Sequence, residues 1–172
     1  MDQKYRRPLI KLWQAGQGDS KEAKELGEKQ MELDQSLLRH LQKMMDRLGG
    51  FPGSSIVGND GAKTALFILQ HGPDSIQAIY LPMIRDAAGK GEISKSDFAL
   101  YLDRYLMHRK QPQVYGSQIT SKRITHPQTG DTIDSLMFWP IQDTTNIDSI
   151  RLWNGLGPLE EYLNTWGLSR WR

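Results

Sequence analysis

The sequence predicts a mainly α protein: a single-domain helical bundle with a small β-hairpin near residues 114–139 and two short C-terminal helices. Three observations predict it. Apolar residues recur at helical spacing along residues 21–48 and through further segments up to residue 109, the pattern of helices with a buried face. Glycine and proline interrupt these segments at Gly49-Gly50, Gly72-Pro73 and Gly89-Lys90-Gly91, where helices stop. After Pro112 the spacing turns toward alternation about a turn-rich centre at 126–131, as in a hairpin.

Each element follows from local chemistry. A first helix is expected over residues 3–17, capped by Asp2, with Leu9, Ile10, Leu12 and Trp13 as its apolar face and a break or kink at Pro8, which removes a helical hydrogen bond. Ser20 caps a long helix over 21–48, whose stripe includes Leu26, Leu33, Leu37, Leu41 and Met45. Residues 49–60 read as a breaker-rich loop without the Gly-Lys-Ser/Thr ending of a phosphate loop. Asn59 or Asp60 caps a helix over 60–71 that is apolar almost all round, the expected centre of the fold. The next runs over 73–88 with a kink expected at Pro82. Ser94 opens a helix to 109 that buries Phe98, Leu102, Tyr105 and Leu106. Val114 to Ile119 reads as a strand, and 133–139 as its partner. Helices over 144–154, capped by Thr144 or Thr145, and 158–166, with Pro158 in the first turn, finish the chain.

The totals bound the function classes. The 172 residues suit one ordinary domain with a real core. There is no cysteine, which excludes disulfides, thiolate catalysis and cysteine metal sites and fits a cytoplasmic location. No apolar run approaches a membrane span, and the N-terminus carries no secretory h-region, so no membrane partner is expected. A net charge of +2, from 22 basic and 20 acidic residues, disfavours a nucleic-acid partner despite the basic, tyrosine-interleaved stretch from Arg104 to His126. The four histidines lack metal-ligand spacing, so neither metal nor cofactor is expected. Nothing in the sequence fixes an oligomeric state.

The residues that carry chemistry concentrate between Gln70 and Gln118. His71 brings an imidazole, a group whose unperturbed pKa of about 6.5 suits proton exchange near neutral pH. Oriented by Asp103, it would serve as a general base, and Tyr115 as an acid or oxyanion donor. These three are the catalytic candidates. Asp2, Gln3, Arg6, Gln70, Gln77, Arg104, Gln113 and Gln118 are the ligand-binding candidates: the arginines hold carboxylate or phosphate, and the glutamines an amide-bearing or polar ligand. Each also has a structural reading, since a terminal histidine caps carbonyls and neighbouring Asp-Arg residues face different sides of a helix. The set supports a small enzyme using histidine acid/base chemistry on a polar small molecule or peptide. The competing reading is a non-enzymatic interaction module, an adaptor or partner-neutralising protein.

In order along the chain, the landmarks are Asp2-Gln3 with Arg6, Phe51-Pro52 followed by Val57-Gly58, Gln70-His71 with Gln77, Asp103-Arg104, and Gln113-Val114-Tyr115-Gly116-Ser117-Gln118. Pro140-Ile141-Gln142-Asp143, Arg151 and Gly155-Leu156-Gly157-Pro158-Leu159-Glu160-Glu161-Tyr162 complete them. This succession resembles a bacterial family catalogued as a domain of unknown function. Gly72 and Ser117 stand where relatives tend to have Ala and Thr. The resemblance implies a shared fold and a shared polar site, and brings no activity with it.

Overall fold

The computed structural model describes residues 4–125, 130 and 132–169. The expected class is observed: seven helices and one two-stranded antiparallel hairpin among the described residues. The chain divides into two compact units, residues 1–87 and 88–172.

The first unit begins with α1 (Arg6–Gln14), shorter than the expected 3–17. Pro8 neither breaks nor kinks it, because it falls in the first turn, where the missing N–H has no intrahelical acceptor. The expected cap Asp2 lies outside the described residues. α2 (Lys21–Leu48) has the expected bounds. Ser20 Oγ accepts from the Ala23 N–H at 3.1 Å, and Gly49 closes the other end at φ 68°. α3 runs over Ser54–Gln70, so half of the expected 49–60 loop is helical. A single turn follows the buried Phe51-Pro52-Gly53, and Gly58 then breaks the axis at φ 74°, ψ 168°. The break stands where the sequence suggested a helix start, so the breaker signal was real but one turn wide. α4 (Asp74–Gly89) carries Pro82 in its interior. α1 packs on α2 and α2 on α3. Leu66, Leu69 and Ile84 are fully buried, each contributing about 1.5–3 kcal/mol relative to exposure.

In the second unit, α5 spans Lys95–His108. Ser94 Oγ accepts from the Asp97 N–H at 3.0 Å and lies 2.6 Å from the Asp97 carboxylate. The buried residues of α5 are Ala99, Tyr101 and Asp103. Phe98, Leu102, Tyr105 and Leu106, expected in the core, are only half-buried. The hairpin pairs β1 (Ile119–Thr125) with β2 (Thr132–Phe138), with Ile119 opposite Phe138 and Ile124 opposite Ile133. Most of its expected tip, including His126, lies outside the described residues. The expected strand over 114–119 is corrected: residues 114–118 form a loop, and β1 starts at Ile119. The N–H groups of Val114, Tyr115, Ser117 and Gln118 bond to side chains, not to a neighbouring strand. α6 (Ile147–Trp153) and α7 (Leu159–Asn164) are the two short terminal helices. Asn146, not Thr144 or Thr145, stands at the N-cap of α6; the Thr145 N–H donates to Asp143 Oδ1 at 2.8 Å. Ile147, Leu159 and Leu163 form the core here, with Ile119, Phe138 and Ile141 against them. No described helix is long and apolar enough to cross a membrane.

Candidate functional site

The predicted site residues fall into two constellations, one in each unit. The second unit holds Asp103, Gln113, Tyr115 and Gln118 together. Asp103 is fully buried near the C-terminal half of α5. Its Oδ1 accepts from the Val114 N–H at 2.7 Å and the Tyr115 N–H at 3.1 Å. Its Oδ2 accepts from the Ser117 N–H at 2.9 Å and the Ser117 hydroxyl at 2.8 Å. One carboxylate thus takes up three main-chain donors of the loop and one hydroxyl, and charge-assisted bonds of this kind are the strong ones.

The loop's carbonyls are held from another direction. Arg151, 3% exposed, donates through Nη1 to Tyr115 O at 2.7 Å and Gly116 O at 3.1 Å, and through Nε to Gly157 O at 2.7 Å. The Tyr162 hydroxyl donates to Ser117 O at 2.7 Å. Gln113 closes the loop on itself: its Oε1 accepts from the Gln118 N–H at 2.7 Å, and its Nε2 donates to Trp139 O at 2.6 Å and Gln118 O at 3.2 Å. Gln118 Nε2 lies 3.1 Å from Ser117 Oγ. Arg104 lies near enough to Tyr162 for its charge to favour the phenolate.

Burial sets the protonation tendencies of this constellation. It pushes the Asp103 carboxyl above the usual carboxylate range, against the pull of the loop donors. Burial also lowers the Arg151 guanidinium and raises the Tyr162 phenol. The bonds of Asp103, Gln113 and Arg151 go to main chain or to Ser117, so their geometry fixes a loop conformation.

The first unit holds Arg6, Gln70, His71 and Gln77. Gln77 is 1% exposed, and its Nε2 donates at 3.0 Å to both Gln70 O and Gly72 O. It thereby satisfies carbonyls left over at the end of α3 and sets the turn that carries His71. Replacing Gln77 with leucine is expected to lower the stability of this unit by about 1–3 kcal/mol, since the buried Gln70 carbonyl and the half-buried Gly72 carbonyl lose their donor; urea unfolding would measure it.

His71, half-buried, lines a cleft of about 630 Å³ with Arg6, Asp34 and Arg39, a volume typical of small-molecule sites. Leu9, Trp13, Met31 and Leu38 supply apolar wall. The polar wall is built by i,i+4 spacing on α2. Gln30 Nε2 donates to Asp34 Oδ1 at 2.7 Å, and Arg6 Nη2 donates to Asp34 Oδ2 at 2.8 Å. The Tyr5 N–H donates to Gln30 Oε1 at 3.2 Å. A second recess of about 410 Å³, between α2 and α3, is lined mainly by apolar side chains. Among the described residues no three of His, Asp or Glu are grouped to hold a metal ion.

Sequence reasoning missed Gln30, Asp34, Trp13 and Arg39 in the cleft, and the clamp by Arg151. The four-residue spacing of Gln30 and Asp34 on a helix was a usable signal, because it sets both on one face. The candidates Asp2 and Gln3 lie outside the described residues.

Residues 14–168 match DUF6624, a family of unknown function. No curated protein and no solved structure matches the chain.

Proposed function

The chain belongs to the DUF6624 family, and we propose that it binds, and acts on, a polar small molecule in the cleft of its first unit, with His71 as the acid/base group. The observation that carries this reading is the meeting of His71 with Arg6, Asp34 and Arg39 in one cleft that also has an apolar wall. A proton-exchanging imidazole beside cationic donors and a hydrophobic surface is the arrangement that orients a polar substrate for proton transfer. Gln77 acts here as a positioning residue, through the turn it caps.

Asp103 enters this reading as a positioning residue too. Four donors occupy its two oxygens, which suits it to holding Tyr115 and its loop in place more than to accepting a substrate proton. Tyr115 and Arg104 remain the second unit's candidates for touching a ligand.

The test is a thermal-shift screen of small carboxylates, amides and phosphates, with hits mapped by NMR. Hits are expected to perturb the His71 ring and the Trp13 indole. His71→Gln is expected to weaken them about tenfold, the worth of a lost hydrogen bond to a polar group, and to abolish any turnover found. Hits that map away from α1 and α2, with affinity unchanged in His71→Gln, would overturn the reading.

One observation favours the interaction module as a second reading: Leu152 and Trp153 at the end of α6 are 75% and 78% exposed. A stoichiometric protein partner retained by His71→Gln but lost on Trp153→Ser would support it.

A further inference from the structure

We infer that the ligand of the first-unit cleft is an organic anion, a carboxylate or phosphate monoester carried on an apolar body. This rests on the reading of the cleft as the ligand site and names the class of molecule it takes.

The charge balance of the cleft carries the inference. Asp34 is its carboxylate, and both oxygens are already engaged, Oδ2 by Arg6 and Oδ1 by Gln30. Against it stand two guanidiniums, Arg6 and Arg39, with the His71 imidazole beside them. Arg6 donates to Asp34 through Nη2 alone among the described residues, and its Nε is buried with no hydrogen-bond partner. Arg39 is exposed and makes no ion pair among the described residues. The cleft therefore holds more positive than negative charge, and one of its guanidiniums is held rigid by Asp34 with donors to spare. A fixed guanidinium matches the planar, bidentate geometry of an anionic oxygen pair better than a mobile ammonium does.

The rest of the wall sets the body of the ligand. Leu9, Trp13, Met31 and Leu38 line the same cleft, and Trp13 and Met31 are 57% and 56% exposed. Large apolar side chains left open beside a cationic pair suit a molecule with an anionic head and an apolar tail. A cationic head would meet Arg6 and Arg39. A neutral head would leave the spare donors of Arg6 without an acceptor of matching charge.

The experiment is an NMR titration of the full chain with four probes: octanoate, octyl phosphate, octanamide and acetate. The Trp13 indole N–H and the Gly72 amide, both at the cleft, report binding. Octanoate or octyl phosphate is expected to shift both signals and to bind about tenfold or more tightly than octanamide, as a charge-assisted bond is stronger than a neutral one. The tighter of the two anions identifies the head, and acetate, lacking the tail, is expected to bind more weakly than octanoate. Arg39→Gln, an exposed change that leaves the Arg6–Asp34 pair intact, is expected to weaken the anions about two- to fivefold without changing octanamide. Arg6→Lys is expected to weaken them further, by keeping the charge and removing the fork.

Equal binding of octanamide and octanoate, with Arg39→Gln silent, overturns the anion assignment and leaves the cleft reading standing. Anions that bind but shift neither Trp13 nor Gly72 overturn the assignment as well. The cleft reading itself then falls only if the neutral and amide hits of the thermal-shift screen also miss α1 and α2.

Discussion

Asp103→Ala is expected to destabilise the second unit by about 3–5 kcal/mol, the scale for breaking a buried, hydrogen-bonded charge network. The removed carboxylate leaves the N–H groups of Val114, Tyr115 and Ser117 and the Ser117 hydroxyl without their acceptor in a site with no solvent exposure at Asp103. Each unsatisfied buried donor costs about 1–3 kcal/mol unless water reaches it. Against a total stability of about 5–15 kcal/mol, the loss is enough to melt the 113–118 loop before the rest of the chain. Hydrogen exchange would read it directly: the Val114, Tyr115 and Ser117 amides, expected to be slow in the wild type because each bonds to Asp103, should exchange close to the unprotected rate in the variant. Unchanged protection in Asp103→Ala would show that the carboxylate is not what orders the loop. Asp103→Asn should cost less than alanine, since the amide keeps one oxygen for these donors and turns an NH2 toward the others.

The same pair of proteins tests the protonation of Asp103. Burial raises its carboxyl in the folded state, whereas in the unfolded chain it titrates near ~3.9. Between the two values the folded state keeps a proton that the unfolded state has released. Its contribution to stability is therefore fully present below the unfolded value and is lost as pH rises through the folded one. The difference in unfolding free energy between wild type and Asp103→Asn should shrink as pH rises across that window and then level off. A difference that grows with pH over the window would mean that the four donors outweigh burial.

Helix ends defined by a single residue were legible in the sequence. Ser20 and Gly49 bound α2 as expected, because a cap acts on N–H and C=O groups only three or four residues away. The hairpin and its second strand were legible, the latter expected over 133–139 and found at Thr132–Phe138, whereas the first strand, expected over 114–119, begins only at Ile119. What was not legible is what depends on partners distant in sequence. The 114–118 segment alternates as a strand does, but the N–H groups of Val114, Tyr115 and Ser117 bond to Asp103, between 11 and 14 residues earlier, and no local pattern announces that. Arg6 and Asp34 are 28 residues apart, and Arg151 reaches 36 residues back to Tyr115. The family resemblance placed Arg6, His71, Asp103, Gln113, Tyr115 and Arg151 in one succession without indicating which hold a loop and which line a cleft. The geometry separates them, because Asp103 and Gln113 spend their bonds chiefly on the 113–118 loop, whereas Arg6 and His71 line open volume.

Gly116→Ala is the second change with a large expected effect, and a second glycine isolates its cause. Gly116 has φ 67°, a conformation that L side chains adopt at a cost of about 1–2 kcal/mol. A Cβ there would also stand 3.0 Å from Ile141 Cδ1, 3.0 Å from Leu159 Cδ1 and 3.1 Å from Phe138 Cζ. Those atoms belong to the core of the second unit, where Leu159 is fully buried, so they cannot all retreat without moving the hairpin or α7. Overpacking of this kind costs about 1–3 kcal/mol, which brings the expected loss to about 2–5 kcal/mol. Gly49 has nearly the same backbone, φ 68°, with nothing within 4 Å of an added Cβ. Gly49→Ala should therefore show the conformational cost alone, about 1–2 kcal/mol. Urea unfolding of the two variants side by side separates the terms: the excess loss at Gly116 measures how closely the core closes over the loop that Asp103 and Arg151 hold. Equal losses would mean that the side chains of Ile141, Leu159 and Phe138 yield freely, and the loop would then owe its shape to hydrogen bonds alone.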